Sequence, residues 1–320
     1  MAAPNLNTFL YSQLLIWGPL ALGHQVRRRA WLAQHWARTL QAFNYYYITP
    51  LVLALGIWKL NTTQGHWAAV LVLETLQLTL FSLVGVWLAP RLTPSRAAAG
   101  TLAIMVPLSN TGHTMAGFLT IFFLSGSAYA YNALINIPVT LFIGLVWMPL
   151  AQHWSARSGN SFARTLARSL VSVQIFPLLG VAAGFAMKTT PWQMTPALTR
   201  LMTTLVIGST ALNMFAIGLR LHLRHTRGYQ PVLKWVYLGK FFIMPLVMLA
   251  VCMLIGLTGP AAGALVIANC VPVGVMVIGI ATIFNLDIDL ANAGMLWSTL
   301  FFMLLVLPLL VLLLRLPIFH

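Results

Sequence analysis

MVPLSNTGHTMAG (residues 105–117) and CVPVGVMVIGI (residues 270–280) decide how this chain folds. Each places Val-Pro inside a long apolar run, and Val106-Pro107 aligns with Val271-Pro272 at a separation near 165 residues. Proline lacks an amide hydrogen and its ring clashes with the preceding turn, so Pro107 and Pro272 should each kink or interrupt a helix. Carbonyls freed by a break are costly in lipid unless protein or a polar cavity receives them. Ser109, Asn110, Thr111, Gly112, His113 and Thr114 follow the first proline, and Asn269 and Gly274 flank the second. These groups can rejoin the broken backbone and can also present donors to a ligand near mid-membrane. Asn110 and Asn269 remain open to a plainer role as caps on the broken ends.

Around these motifs the chain is overwhelmingly apolar. Of 320 residues, 60% are hydrophobic and only 7% charged, which leaves too little charge to cover a soluble domain. Mean hydropathy is +0.88, and the only acids are Glu74, Asp287 and Asp289. A helix needs about 20 apolar residues to cross the hydrocarbon core. Ten segments meet that need, roughly 6–23, 43–60, 67–88, 99–122, 128–150, 167–187, 199–219, 233–256, 260–283 and 292–314. Runs such as LVLLLRLPIF (310–319) do not alternate in polarity, which argues against barrel strands. The expected fold is an all-α polytopic membrane protein of ten transmembrane helices, with residues 1–150 and 151–320 as two five-helix repeats. Five is odd, so the halves should be inverted, as in many secondary transporters, with helices 4 and 9 broken.

Basic residues set the orientation. Arg27, Arg28, Arg29, Arg38, Arg91, Arg96, Arg157, Arg164, Arg168, Arg220, Arg224, Arg227 and Lys234 fall on one side, and Lys59, Lys188, Arg200 and Arg315 on the other. The positive-inside rule then places both termini outside, in a bacterial cytoplasmic membrane. The inside joint that carries Asp287 and Asp289 has no base and fits least well. The net charge of +15 does not indicate nucleic-acid binding, because the bases occupy short joints and form no continuous face. Arg27–Arg29 follow the first apolar run instead of preceding it, unlike a cleaved signal peptide. RRRAWLAQHWARTLQAF (27–43) reads either as an interfacial helix anchored by Trp31, Trp36 and Phe43 or as an extension of the second span.

Other features have structural readings. Cys252 and Cys270 lie within spans and suggest apolar packing, with neither a disulfide framework nor a metal site. Pro50, Pro138, Pro177, Pro245 and Pro308 should set kinks, and Gly180 and Gly184 should allow close helix packing. Nucleotide-binding and zinc-protease motifs are absent, and GSAYAYNALINIP (126–138) has no catalytic context. Glu74 in span three and Lys240 in span eight occupy comparable positions in the two halves. Charges there should point inward or find partners. They could neutralise each other, or Lys240 could attract an anion while Glu74 changes protonation; Lys240 could also snorkel. Gln77, one turn after Glu74, could line the same face.

YYITPLVLALGI (46–57), LSNTGHTMAG (108–117), ALNMFAIGLRL (211–221) and the long stretch from Ile267 to Pro308 together resemble the auxin efflux carrier family, within the bile-acid/sodium symporter superfamily. The resemblance implies a scaffold of helices 1, 2, 6 and 7 and a mobile transport domain of helices 3–5 and 8–10. It implies that Pro107, Asn110, Asn269 and Pro272 belong to the crossing helices, that substrates are small organic anions such as malate, malonate or auxin, and that homodimers form through scaffold helices. His113 stands where the family pattern has an aromatic residue, and Met115 where it has a small one. His113 could bind a carboxylate, move a proton or hydrogen-bond across helices.

The expected activity is therefore secondary transport of a mono- or dicarboxylate by elevator-like alternating access, without covalent catalysis or a cofactor. Ser109, Asn110, His113, Asn269 and Lys240 are the expected substrate-binding residues. Pro107, Gly112, Pro272 and Gly274 mark the helix breaks, with Glu74 or His113 as the coupling group. Positive helix-terminal potential favours an anion over a bare cation. Proton or sodium coupling stays open; sodium favours oxygen ligands, and the spans offer one clear acid. A non-transporting sensor with a carrier fold and a channel are the remaining alternatives, and membrane lipid is the other expected partner.

Overall fold

The computed structural model describes residues 6–33, 35–61, 66–155, 176–220 and 227–319. Among these the chain forms twelve helices. They are α1 (Leu6–Arg28), α2 (36–59), α3 (His66–Leu92), α4 (Arg96–Met105), α5 (Ala116–Phe123) and α6 (Ala128–Trp154), followed by α7 (Phe176–Lys188), α8 (Pro196–Arg220), α9 (Gln230–Leu254), α10 (Gly259–Cys270), α11 (Met276–Phe284) and α12 (Ile288–Leu313).

The expectation of ten full spans, and with it the five-plus-five partition, is not met. Among the described residues, α3, α6, α8, α9 and α12 are long and apolar enough to cross a membrane, five in all. The expected span 99–122 is divided into α4 and α5, of 10 and 8 residues. Likewise 260–283 is divided into α10 and α11, of 12 and 9 residues. Both divisions fall at the Val-Pro pairs, where the chain leaves helical geometry. α1 and α2 are long, but Asn7, Thr8, Ser12 and Gln13 in one and the Asn-Tyr-Tyr-Tyr run from Asn44 in the other lower their apolar character. α7 is described over 13 residues, from Phe176 onward. Arg157, Arg164, Arg168 and Arg224 lie outside the described residues.

Four other prolines widen a helix without breaking it. α2, α6, α9 and α12 each contain one five-residue π turn, at Asn44–Ile48, Ile143–Trp147, Gly239–Ile243 and Phe302–Val306. Each turn is followed, two residues after its end, by Pro50, Pro149, Pro245 or Pro308. A proline ring clashes with the carbonyl four residues earlier, and that carbonyl lies inside the π turn in all four helices. The wider turn accommodates the ring and lets the helix continue. The 36–43 stretch runs through such a turn into the rest of α2, so it is an extension of that helix and not a separate interfacial one. α1 ends beforehand, at the left-handed Ala30 (φ 54°).

Small residues bring the helices together, as membrane packing requires when lipid supplies no hydrophobic drive between helices. α1 lies along α8, and a Cβ on Gly23 would stand 2.2 Å from the Phe215 carbonyl oxygen. The reciprocal Cβ on Gly218 would stand 2.2 Å from the carbonyl oxygen of Leu20. α7 meets α2 in the same way, with Gly180 against Pro50 and Gly184 against Ala54 and Ile57. The larger core draws buried residues from all twelve helices, and within it the Trp147 indole donates to Ser82 Oγ at 3.0 Å.

Gly218→Leu should force α1 from α8 and lower the thermal unfolding midpoint in detergent by several degrees. Gly208→Ala, on the same helix with nothing within 4 Å of its Cβ position, should leave it unchanged or raise it, since alanine is favoured over glycine in a helix by about 0.5–1 kcal/mol.

Candidate substrate-binding site

The two helix interruptions meet. Residues 106–115, between α4 and α5, and 271–275, between α10 and α11, run antiparallel and form a single β-bridge at Ser109 and Val273. The Asn110 amide donates to the Pro272 carbonyl at 2.8 Å, and the Gly274 amide donates to the Leu108 carbonyl at 3.0 Å. Each break therefore supplies what the other lacks, and backbone that would be costly in an apolar interior is paired. Gly274 makes this approach possible, because a Cβ there would lie 2.8 Å from the Ser109 carbonyl oxygen. Side chains complete the pairing. Ser298 Oγ accepts from the Val273 amide at 3.1 Å, and Asn132 Nδ2 donates to the Thr111 carbonyl at 3.1 Å.

The crossing divides the sequence-derived residues into two groups. Ser109, Asn110, Gly112, His113 and Gly274 line a cavity of about 1510 Å³, together with residues of α2, α6, α8, α11 and α12. Asn110 Oδ1 is held by Thr114 Oγ1 at 2.9 Å. His113 Nε2 lies 3.2 Å from Asn44 Oδ1 and 3.4 Å from Thr49 Oγ1, both on α2. Asn44 in turn donates through Nδ2 to the Ser209 carbonyl of α8 at 3.3 Å. His113 thus ties the crossing to α2 and, through Asn44, to α8.

Glu74, Asn269, Lys240, Pro107 and Pro272 do not line that cavity. Lys240 is fully buried in the π turn of α9, and its Nζ donates to Ser109 Oγ at 2.6 Å. Asn269 Nδ2 donates to Glu74 Oε2 at 3.0 Å and to the Leu265 carbonyl at 2.9 Å, while Gln77 Nε2 donates to Asn269 Oδ1. Glu74 and Lys240 therefore each bond a neutral side chain and do not form a direct ion pair. Glu74 Oε1 and Gln77 Oε1 are buried without a hydrogen-bond partner. Lys240 meets the chain at Ser109, past the C-terminal end of α4, whereas residues 108–114 leading into α5 and the N-terminal end of α11 line the cavity.

Sequence reading had no signal for several partners. Asn44 and Thr49 lie in an aromatic run of α2, and Ser298 lies in an apolar helix; they gain roles only when the crossing is brought against them. Gln77, one turn after Glu74, was legible from helical spacing. Asp287 caps α12 by accepting from the Leu290 amide at 2.8 Å, and its backbone exchanges hydrogen bonds with Thr101. The Tyr229 hydroxyl donates to it at 3.2 Å, and partial burial and the adjacent carboxylate push that hydroxyl above its ordinary pKa. Among the described residues, no group of three His, Cys, Asp or Glu side chains could hold a metal ion.

Gly274→Val should separate the bridge and expose its amides, accelerating hydrogen exchange at Asn110 and at position 274 by orders of magnitude relative to α1 and α8. Asn269→Ala removes the donor that Glu74 Oε2 uses and should cost about 1–3 kcal/mol, read as a lower unfolding midpoint.

Comparison with individual curated proteins finds no match. The sequence profile of the membrane transport protein family matches residues 141–311, just over half of the chain and including α7 to α11 and nearly all of α12. An all-helical protein with several membrane-spanning helices and this profile belongs to that family, the group of the auxin efflux carriers, and is a transporter rather than an enzyme.

Proposed function

We propose that the protein carries a small organic anion, a mono- or dicarboxylate, across a bacterial cytoplasmic membrane by alternating access. The observation that carries this reading is the paired helix break on the wall of a large cavity, with Asn110, the stretch 111–114 and the N-terminal end of α11 lining the space. Helix N-termini and amide donors favour a carboxylate over a cation. Asn110 and the backbone around Gly112 and Gly274 bind the substrate. Lys240 holds the crossing from behind through its bond to Ser109. The carried anion also contacts His113, whose bond to Asn44 must break when the crossing moves past α2.

Close glycine contacts mark out one of two moving parts. α1 with α8, and α2 with α7, make backbone-close glycine contacts. They form the scaffold, through which a homodimer assembles. α3 to α6 and α9 to α12 pack around the crossing and form the mobile body. With the base-rich side inside and both termini outside, the cavity opens toward the cytosol, because Arg38 and Arg220 line it.

Glu74 is the coupling group. One of its oxygens and one of Gln77 are buried without donors, and a buried carboxylate in that state takes up a proton or a small cation. A proton needs one such oxygen, whereas sodium recruits several oxygen ligands, which favours a proton.

Purified protein in sealed liposomes should show saturable carboxylate uptake. Asn110→Ala should lower the ratio kcat/KM at least about tenfold, the equivalent of one charge-assisted hydrogen bond. Uptake should persist without sodium and collapse when a proton gradient is removed. Sodium-dependent uptake would reassign the coupling ion, and binding without flux would reject the carrier.

A further inference from the structure

Arg38 and Arg220 are brought together by a small packing unit separate from the main core. Ala37, Ala216 and Leu219 are each 0% exposed and pack on one another, flanked by Leu40, Phe215 and Val26. This contact sets the first turns of α2 against the last turn of α8. The arginine adjacent to each buried strip lines the cavity, so both guanidinium groups enter the same space from packed helix ends. Among the described residues, the acid lining the cavity is Asp289, so its mouth keeps an excess of positive charge.

Their height in the cavity follows from helix geometry. Arg38 precedes Asn44 by six residues and Arg220 follows Ser209 by eleven. At 1.5 Å per residue they stand about 9 and 16 Å toward the base-rich side of the His113–Asn44–Ser209 level. The pair is on the approach to the crossing, not at it.

We infer that Arg38 and Arg220 form a second anion site at the cavity mouth, which receives small dianions, dicarboxylates in particular, before they reach the crossing. Two adjacent guanidiniums repel, and a ligand bearing two carboxylates relieves both while pairing with each fork. A monocarboxylate engages only one. The charge also concentrates dianions in the cavity and raises their rate of arrival from that side. The inference rests on the carrier reading for its place in transport, but anion binding itself can be measured without flux.

The test is calorimetric titration of the protein in nanodiscs of zwitterionic lipid with malonate and, separately, acetate, at low and high salt. Malonate affinity should fall steeply with salt and drop about tenfold or more in Arg38→Gln/Arg220→Gln, with acetate affected much less. Arg38→Lys/Arg220→Lys should retain the salt dependence while losing part of the affinity. In liposomes the Gln pair should raise KM for malonate presented from the arginine side only, with uptake at saturation retained. Malonate affinity independent of salt, or unchanged in the Gln pair, would overturn the inference. So would nanodiscs containing phosphatidylglycerol in which the lipid displaces malonate, for then the pair belongs to a lipid headgroup. Salt-sensitive malonate binding without any flux would sink the carrier reading while upholding this site.

Discussion

Backbone that leaves helical geometry inside an apolar protein must find other hydrogen-bond partners, and here two such stretches find each other. The Asn110-to-Pro272 and Gly274-to-Leu108 bonds are few, yet they fix where four short helices begin and end. An unpaired buried amide or carbonyl costs roughly 1–3 kcal/mol, so the two breaks are stable only together. This reciprocity explains why both Val-Pro pairs lie deep in the chain's interior and why Gly274 cannot carry a side chain without a shift. It also explains why the polar residues gather here: Ser298 and Asn132 bond the backbone of the crossing, and Lys240 bonds Ser109.

The crossing separates two electrostatic regions. Behind it, Glu74, Gln77, Asn269 and Lys240 are enclosed by α3, α9 and α10 and bond one another or the crossing. In front, the cavity carries Asn110, His113 and the N-terminal end of α11, and Arg38 and Arg220 line it as well. Burying a lysine without an ion partner is costly, and the bond from its Nζ to Ser109 offsets part of that cost. The same bond makes the position of the crossing sensitive to the charges behind it. In the proposed carrier, coupling runs from Glu74 through Asn269 and α10 to the crossing.

Sequence reading located the interruptions because proline and clustered polar residues in an apolar run have few other meanings. It overcounted the spans for a related reason. Segments 99–122 and 260–283 have the composition of single spans, and only geometry shows that each is two short helices. The π turns before Pro50, Pro149, Pro245 and Pro308 were not foreseen, although the proline positions that produce them were plain. Glu74 and Lys240 were recognisable as intramembrane charges, but their partners were not. Spacing along one helix identifies Gln77, whereas Asn269 and Ser109 reach them only through the fold. The arrival of Arg38 and Arg220 at one cavity was hidden for the same reason. Each looked like one more base on the cytosolic side until Ala37 and Ala216 packed together.

The central claim is that one polar crossing is exposed to each side of the membrane in turn. Val275 lines the cavity beside Gly274 and is half-buried. A cysteine at that position, with Cys252 and Cys270 replaced, can be challenged by a membrane-impermeant thiol reagent from either face of an oriented vesicle. The account predicts labelling from both faces and a slower reaction from each when a transported carboxylate is bound. Labelling confined to one face under every imposed gradient, or unaffected by carboxylate, would contradict it.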